Sequence, residues 1–342
     1  MNHEPNEEKV ATLTIDTFRP DDAESVAELF HAVYGQGYPI KVYYQPEALR
    51  QAFARDEIIP AVARNPEGKV VGVVNLYRNA PWPGVYESGA GLVSPDYRIG
   101  GLFRDMCRHL YEKMAPHKPV ALIFGEAVCL HLYSQRMQAH LGFIPTALEV
   151  DLMPAETYQT TFDPKRLPKG RVACMIDVKT LKPRPHTVYL PPVYQETLQT
   201  IYARLDDQRT LKVADQRIPT HQETKLNTRY FDHAGVLRIA VHQIGADLTT
   251  KVREEIQRHR EKGGQIFQVW LPLHQPYTGD AADQLRKQGF FFGGLLPRWF
   301  DHDGMLMVYM DHTPHWEDIK LYLREMRELM EVVRNDWQQV AG

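Results

Sequence analysis

The sequence predicts an α/β fold in two domains, and three observations support this prediction. Apolar runs of strand length alternate with segments whose apolar residues recur at helical spacing. At 342 residues the chain is long enough for two domains of ordinary size. A proline-rich stretch separates two series of elements that end alike. We therefore predict a first domain at 12–178, a connector at 179–192 and a second domain at 193–342.

The first domain opens with a predicted strand and helix. Residues 12–18 alternate apolar and polar side chains, as a half-buried strand does. After Arg19-Pro-Asp-Asp22, an apolar stripe at helical spacing indicates a helix that Asp21 or Asp22 would cap. A tyrosine-rich loop then leads to a second helix at 46–55. That loop is either a packed surface segment or a wall of an acceptor pocket.

Three further strands lead to a glycine loop. Residues 58–63 and 69–76 form a predicted hairpin, and 85–93 form the next strand. A helix begins just beyond Gly100-Gly101. Glycine has no Cβ atom, so the backbone can approach a ligand closely there. The free N–H groups of the first helical turn would then suit a pyrophosphate.

The elements after this helix complete the first domain. Residues 119–125 form an apolar run typical of a strand that is buried on both faces. A helix ending near residue 140 follows, then Leu141-Gly-Phe143 and a strand at 144–152. One more strand is predicted at 172–178.

The glycine loop is neither of two common phosphate loops. It lacks Gly-x-Gly-x-x-Gly and Gly-Lys-Ser/Thr, and what remains is Arg-x-x-Gly. Residues 95–103 resemble the coenzyme A loop of the GNAT acyltransferase superfamily, usually Arg/Gln-x-x-Gly-x-Gly/Ala at a helix start. Arg98 and Gly101 match it, whereas Phe103 replaces a small residue and Gly100 a basic one. The resemblance extends over residues 12–153, where the elements follow the GNAT order.

The second domain repeats the closing elements of the first. Its predicted elements are a helix at 193–205, strands at 224–231 and 237–243, a helix at 250–262, a strand at 265–271, a helix at 280–287 and strands ending at 310. Gln288-Gly-Phe290 corresponds to Leu141-Gly-Phe143. Residues 244–250 lack Arg-x-x-Gly and place Asp247 where phosphate would sit. We therefore predict a degenerate GNAT-like half, with a C-terminal helix at 314–340 that packs on it or forms a dimer contact.

The resemblance implies that each domain is a mixed, mostly antiparallel, twisted sheet flanked by helices. It also implies acetyl-CoA as the cosubstrate, with no metal ion. The implied cosubstrate-binding residues are Leu92, Val93, Arg98, Ile99, Gly100, Gly101, Leu102, Phe103 and Ser134. Leu92 or Val93 would supply the backbone N–H that polarises the thioester carbonyl.

Acyl transfer to an amine also needs a base and an acid. Glu87 and Glu126 lie on the strands that flank the reacting centre in a GNAT fold, so both are candidate bases. Glu126 could equally be an ion-paired strand end. Many GNAT enzymes have a Tyr that acts as the general acid at the position where this chain has Gln138. Tyr133 or Ser134 would then face the sulfur instead. Alternatively, Tyr133 only stacks in the core.

Composition limits the partners. A net charge of −3 from 40 basic and 43 acidic residues argues against nucleic acid as a partner. The three cysteines show no CxxC spacing, so neither a zinc site nor a disulfide is expected. Residues 1–9 are polar, and no apolar run approaches about 18 residues. We expect a cytoplasmic protein with no membrane partner.

These observations favour an acetyl-CoA-dependent N-acetyltransferase that acts on an amine of a small molecule or a protein. One alternative is a non-catalytic regulator that binds acyl-CoA. Another is an aminoacyl or peptidyl transferase of the FemABX type, which the intact coenzyme A loop disfavours. Whether the chain forms a homodimer is left open by the sequence.

Overall fold

Most of the predicted elements are present in the computed structural model, which describes residues 12–38, 40–98, 100–159, 162–163, 165, 167–205 and 207–340. The chain divides into two units, Met1–Phe124 and Gly125–Gly342. The division falls within a strand of the first predicted domain. The predicted limits at residues 178 and 193 therefore remain a prediction. No helix in the described ranges is long and apolar enough to cross a membrane.

Unit 1 is an antiparallel meander with helices packed on it. Its elements are β1 (Thr14–Thr17), α1 (Ala23–Tyr34), α2 (Pro46–Ala54), β2 (Ile58–Arg64), β3 (Val70–Arg78), β4 (Val85–Val93) and α3 (Leu102–His109). Strands β1 to β4 lie side by side in chain order. The core joins Phe30 of α1, Leu49 of α2 and Val62 of β2, all of them buried. Burying this apolar surface holds the helices against the sheet.

Unit 2 contains a larger mixed sheet. Its elements are the end of β5 (Leu122–Val128), α4 (Tyr133–His140), β6 (Ile144–Pro154), β7 (Arg171–Thr180), β8 (His186–Leu190), α5 (Gln195–Tyr202), β9 (Arg209–Val213), β10 (Lys225–Phe231), β11 (Val236–Gln243), α6 (Leu248–Arg260), β12 (Ile266–Pro272), α7 (Thr278–Arg286), β13 (Phe291–Leu296), β14 (Gly304–Met310) and α8 (Arg324–Val340). The strand order is β5-β7-β6-β13-β14-β12-β11-β10. Strands β11 and β12 are parallel, whereas β6–β7, β6–β13, β13–β14, β12–β14 and β10–β11 are antiparallel. The predicted mixed, mostly antiparallel fold class is confirmed.

A local two-fold axis relates the repeated strands of unit 2. Phe143 and Phe290 are 147 residues apart, and each follows a glycine of left-handed φ, 80° and 89°. The same offset relates Ala147 to Gly294, and these two residues are Cα partners across β6 and β13. A residue that pairs with its own counterpart marks a two-fold axis. The two sets of closing strands are therefore joined edge to edge.

Several boundaries differ from the predictions. The strand predicted at 119–125 is shifted to Leu122–Val128, and the next helix begins only at Tyr133. The C-terminal helix begins at Arg324, after a short 3₁₀ turn, and packs on β13 and β6. The predicted connector contains β8, which pairs in parallel with β9, a strand that the sequence did not indicate. Most of β9 is exposed, so it lacks the alternation that marks a half-buried strand.

Candidate functional site

The glycine loop joins β4 to α3 in unit 1. A 3₁₀ turn at Pro95–Tyr97 follows the strand, and Gly100 and Gly101 have φ of 64° and 79°. Glycine occupies this left-handed region without steric cost, which explains both residues. Gly101 caps α3, whose Asp105 N–H donates to the Gly101 carbonyl at 3.1 Å. The N–H groups of the preceding turn therefore lie at the helix end that attracts anions.

The predicted cosubstrate residues of unit 1 line one cavity of about 420 Å³. They are Leu92, Val93, Arg98, Gly100, Gly101, Leu102 and Phe103. Ile99 lies outside the described residues. Tyr34, the first residue of the tyrosine-rich segment for which a packed loop or a pocket wall was predicted, also lines the cavity. Burial raises the pKa of Tyr34 and the charge of Arg98 opposes this rise, so the guanidinium acts close to the tyrosine.

Arg98 is folded back on the strand that precedes it. Its Nε donates a hydrogen bond of 3.0 Å to the Val93 carbonyl, and its side chain is exposed. The bond fixes the guanidinium beside the cavity rather than leaving it free in solvent. A cation is thereby held near the N-terminus of α3, where an anion would bind.

A β-bulge in β4 lies under the loop. Val73 pairs with Leu92 and Asn75 with Gly89, so Ala90 and Gly91 have no partner in the β3–β4 register. Ala90 has a φ of 48°, as a bulge residue can, and its carbonyl accepts from Asn75 Nδ2 at 2.8 Å. Leu92 and Val93, which were predicted to polarise the thioester, both have Cα partners on β3. The two residues without a Cα partner on β3 lie one or two positions earlier.

Phe103 is the main departure from the family pattern, and Gly91 accommodates it. A Cβ atom on Gly91 would lie 2.7 Å and 2.8 Å from two ring carbons of Phe103. The aromatic ring therefore packs where only a glycine leaves room. One glycine at the bulge compensates for the large residue in the loop.

Glu87, a candidate base on β4, is buried and hydrogen-bonded. The Tyr77 hydroxyl donates to one of its oxygens, and Asn79 Nδ2 donates to the other at 2.5 Å. Burial and the Glu87 charge raise the pKa of Tyr77 well above its ordinary value, so Tyr77 remains a donor. A base role for Glu87 would require one of these bonds to open.

Glu126, the other candidate base, is ion-paired within unit 2. Arg238 donates to Glu126 at 2.6 Å and to Glu149 at 2.9 Å. Burial raises the pKa of Glu126, but the Arg238 charge and the hydrogen bonds around it bring it below its ordinary value. Burial and the Glu126 charge raise the pKa of Glu149 well above its ordinary value. Glu126 is therefore the carboxylate of the pair, and Glu149 holds the proton.

The candidate acids lie at the start of α4. Tyr133 is 77% exposed, so the alternative that it stacks in the core is wrong. The Ser134 hydroxyl oxygen is buried and has no hydrogen-bond partner among the described residues. Gln138, which replaces the usual Tyr, is buried. Whether Tyr133 or Ser134 serves a reaction stays a prediction.

The second copy of the loop is filled by the chain itself. Gly245 N–H donates to Thr224 Oγ1 at 3.0 Å, and Ala246 N–H donates to the Gln222 carbonyl at 2.8 Å. A Cβ atom on Gly245 would lie only 2.2 Å from the Glu223 carbonyl carbon. Donors that could bind a phosphate are thus already used, and the space is occupied.

Asp247 adds negative charge at this same place. Its Oδ1 accepts from Thr224 N–H at 2.7 Å, and its Oδ2 lies 2.9 Å from Lys251. Burial raises its pKa, but these partners together lower it to about 2. The carboxylate is charged at neutral pH and repels an anion.

No family model matches the chain, and no curated protein matches it. Solved acetyltransferases are similar to it. Ribosomal-protein-S5-alanine acetyltransferase from Vibrio fischeri is 14% identical, with a TM-score of 0.38 over 49% of this chain and 93% of that one. An N-acetyltransferase from Staphylococcus aureus Mu50 is 13% identical, with a TM-score of 0.39 over 50% and 99%. Spermidine N-acetyltransferase from Vibrio cholerae, solved with CoA and spermine, is 12% identical, with a TM-score of 0.38 over 50% and 96%.

All three similar structures are acetyltransferases. Tyr34 belongs to the tyrosine-rich segment that was a candidate pocket wall, and it lines the cavity. Arg238 was not predicted, because 112 residues separate it from Glu126 and no local pattern joins them.

Proposed function

We propose that the chain is an acetyl-CoA-dependent N-acetyltransferase that binds coenzyme A in unit 1. The observation that carries this proposal is the glycine loop, which combines two left-handed glycines, a helix start and a cavity of about 420 Å³. A cavity of this size holds part of a cosubstrate. The Arg-x-x-Gly sequence at this place supports coenzyme A over other phosphate ligands.

The pyrophosphate would accept hydrogen bonds from the N–H groups at the start of α3. The partial positive charge of the helix end and the guanidinium of Arg98 both favour an anion there. The bulge at Ala90 and Gly91, which has no Cα partner on β3, would offer a backbone N–H to the thioester carbonyl in place of the predicted Leu92 or Val93. Phe103 would narrow the cavity beside the pyrophosphate.

In the reaction, the acceptor nitrogen bonds to the acetyl carbon and the carbon–sulfur bond breaks. The nitrogen loses a proton to a base, and the departing thiolate takes a proton from an acid. Glu126 is the predicted base: Arg238 keeps it ionised, although the same ion pair lowers its pKa and so its strength as a base. Ser134 suits the acid because its buried hydroxyl has no protein partner among the described residues. Glu87 and Tyr133 remain the alternative base and acid.

A second candidate function is a non-catalytic sensor of acyl-CoA. Two observations favour it: both oxygens of Glu87 accept hydrogen bonds, and Tyr133 is largely exposed. Turnover of acetyl-CoA with a panel of amines, polyamines included, distinguishes the two functions. Release of free thiol that requires an amine supports the enzyme. Tight binding without any turnover supports the sensor.

The binding site is tested by Gly101→Asp, with Gly68→Asp as the matched control. Both glycines have left-handed φ, 79° and 81°, but Gly68 lies in the β2–β3 turn with no atom near its Cβ position. An aspartate at position 101 would place a negative charge against the phosphates. Like charges about 4 Å apart repel by about 4 kcal/mol at an effective dielectric of 20. Calorimetry should show at least about a 100-fold loss of coenzyme A affinity.

The control should bind coenzyme A as the wild type does, because its added charge is remote from the cavity. Circular dichroism of both variants establishes that they fold. If folded Gly101→Asp protein binds coenzyme A with wild-type affinity, the proposed site is wrong.

A further inference from the structure

A buried aspartate in unit 2 lies at an irregular point of β6. Asp151 falls where the β6–β7 register shifts, between Glu149 and Met153, and it has a φ of 52°. Its exposed fraction is only 1%. Non-glycine residues seldom adopt this conformation, so the surrounding structure must hold it there.

Two histidines from the segment after β14 converge on this carboxylate. His312 Nε2 lies 2.8 Å and His315 Nδ1 lies 2.7 Å from the same oxygen, Asp151 Oδ2. The other oxygen, Oδ1, accepts only a long bond of 3.3 Å from the His315 backbone N–H. One ligand atom from each of the three side chains lies within 4.8 Å of the others. The side chains therefore face a common point.

We propose that Asp151, His312 and His315 bind a divalent transition-metal ion, Zn²⁺ being the best match. Two imidazole nitrogens and one carboxylate oxygen form a donor set that such ions prefer. Bonds of about 2.0–2.1 Å in a tetrahedral arrangement place ligand atoms roughly 3.3 Å apart. The two separations between Asp151 Oδ2 and the histidine nitrogens need to open by only about 0.5 Å, which small side-chain rotations allow. Both imidazoles are about one third exposed, which leaves an entry path and a place for water.

The surrounding backbone is shaped to hold these ligands. Arg171 donates to the Asp151 carbonyl at 2.6 Å and to the Leu152 carbonyl at 2.8 Å, which fixes the irregular strand. Gly170 has a φ of 120°, and a Cβ atom there would lie 2.4 Å from His315 Nε2. Outer contacts of this kind orient metal ligands. The Arg171 charge opposes a cation, but its hydrogen bonds direct it to backbone carbonyls.

The two-fold repeat shows that the fold alone does not require this cluster. The counterpart of Asp151, at the offset of 147 residues, is Arg298, which has a similar φ of 57°. Arg298 instead contacts Asp301, with a bond of 3.1 Å. The left-handed φ is common to both positions, whereas the metal-binding set is present at the first. Asp151 lies on β6, whereas His312 and His315 lie in the segment that follows β14.

Metal titration of the full-length protein tests this proposal. After treatment with a chelator, the protein is titrated with Co²⁺, whose visible absorption reports its ligands, and then with Zn²⁺. We expect one Co²⁺ per chain, displaced by Zn²⁺, and a rise of about 5 °C in the melting temperature with excess Zn²⁺. Affinity should fall below about pH 6, because the metal competes with protons for the imidazoles.

His312→Gln and His315→Gln should each lower Co²⁺ affinity at least tenfold. Each histidine is partly exposed, so these variants should fold even if a change at buried Asp151 does not. His117→Ala, an exposed histidine of unit 1, is the control and should bind as the wild type does. Absence of stoichiometric Co²⁺ or Zn²⁺ binding by the wild type would overturn the proposal. Undiminished binding by both glutamine variants would also overturn it.

Discussion

At the scale of single residues, Arg238 explains how the partly buried Glu126 can lie beside the buried Glu149. Its guanidinium contacts Glu126 and Glu149, and Gln268 Nε2 donates to Glu149 at 2.9 Å. Two adjacent carboxylates cannot both ionise cheaply, so one proton stays with the pair. The positive charge determines which side chain loses its proton, and Glu126 becomes the anion.

We predict that Glu149→Gln stabilises the protein increasingly as pH rises from 5 to 8. The unfolded chain loses the Glu149 proton near the ordinary pKa, but the native state keeps it because its pKa is raised. The native state thus binds more protons over this range, and its stability falls with rising pH. Glutamine removes this cost, by up to about 1.4 kcal/mol per pH unit.

Urea unfolding at several pH values measures this difference. Glu331→Gln, on the exposed side of α8, is the control and should show no growing difference from the wild type. A stability difference between Glu149→Gln and the wild type that stays constant from pH 5 to 8 would contradict a proton held on Glu149.

At the scale of elements, the two glycine segments that precede α3 and α6 differ in whether their surroundings leave room for a ligand. The segment before α3 borders a cavity, whereas the segment before α6 donates its N–H groups to residues 222–224. Asp247 also places a charge there that repels phosphate. We therefore predict one coenzyme A per chain, with a stoichiometry of about one in calorimetry.

The Gly101→Asp variant separates the two segments in this measurement. If only the segment before α3 binds coenzyme A, the Gly101→Asp variant should release no binding heat. A stoichiometry near two, or half of the heat remaining in Gly101→Asp, would show that the second segment opens to admit the ligand.

At the scale of the whole molecule, the repeats depend on each other inside unit 2. Strand β13 covers the edge of β6, and Arg238 donates hydrogen bonds to Glu126 and Glu149. Arg171 donates to the Ala234 carbonyl at 2.6 Å. Each of these contacts links residues before His186 to residues after it.

We predict that a fragment ending at His186 is insoluble or lacks a cooperative thermal transition. Its β6 edge would be exposed, and Glu126 and the buried Glu149 would lose the cation that contacts them. Co-expression of residues 187–342 should restore soluble protein. A soluble fragment that melts cooperatively and acetylates the amine used by the full-length protein would show that the two repeats are independent.

Local patterns in the sequence were sufficient for most strands and helices and for the glycine loop. Alternation, helical spacing and glycine positions depend on neighbours within a few residues, and β4 is found at the predicted 85–93. The Gly-Phe motif at Gly142 and Gly289 is also a local pattern, and its repetition predicted a second copy of the closing elements. Exposed β9 carried no such pattern and was missed.

Long-range pairing accounts for what the sequence could not show. Glu126 meets Arg238 across 112 residues, and Asp151 meets His312 and His315 across 161 and 164 residues. Residues 222–224 fill the second loop only because the chain returns there. Which charges neutralise each other, which loop stays open and which ligands converge all depend on strand order and register. These arise from packing the whole chain, so no stretch of sequence contains them.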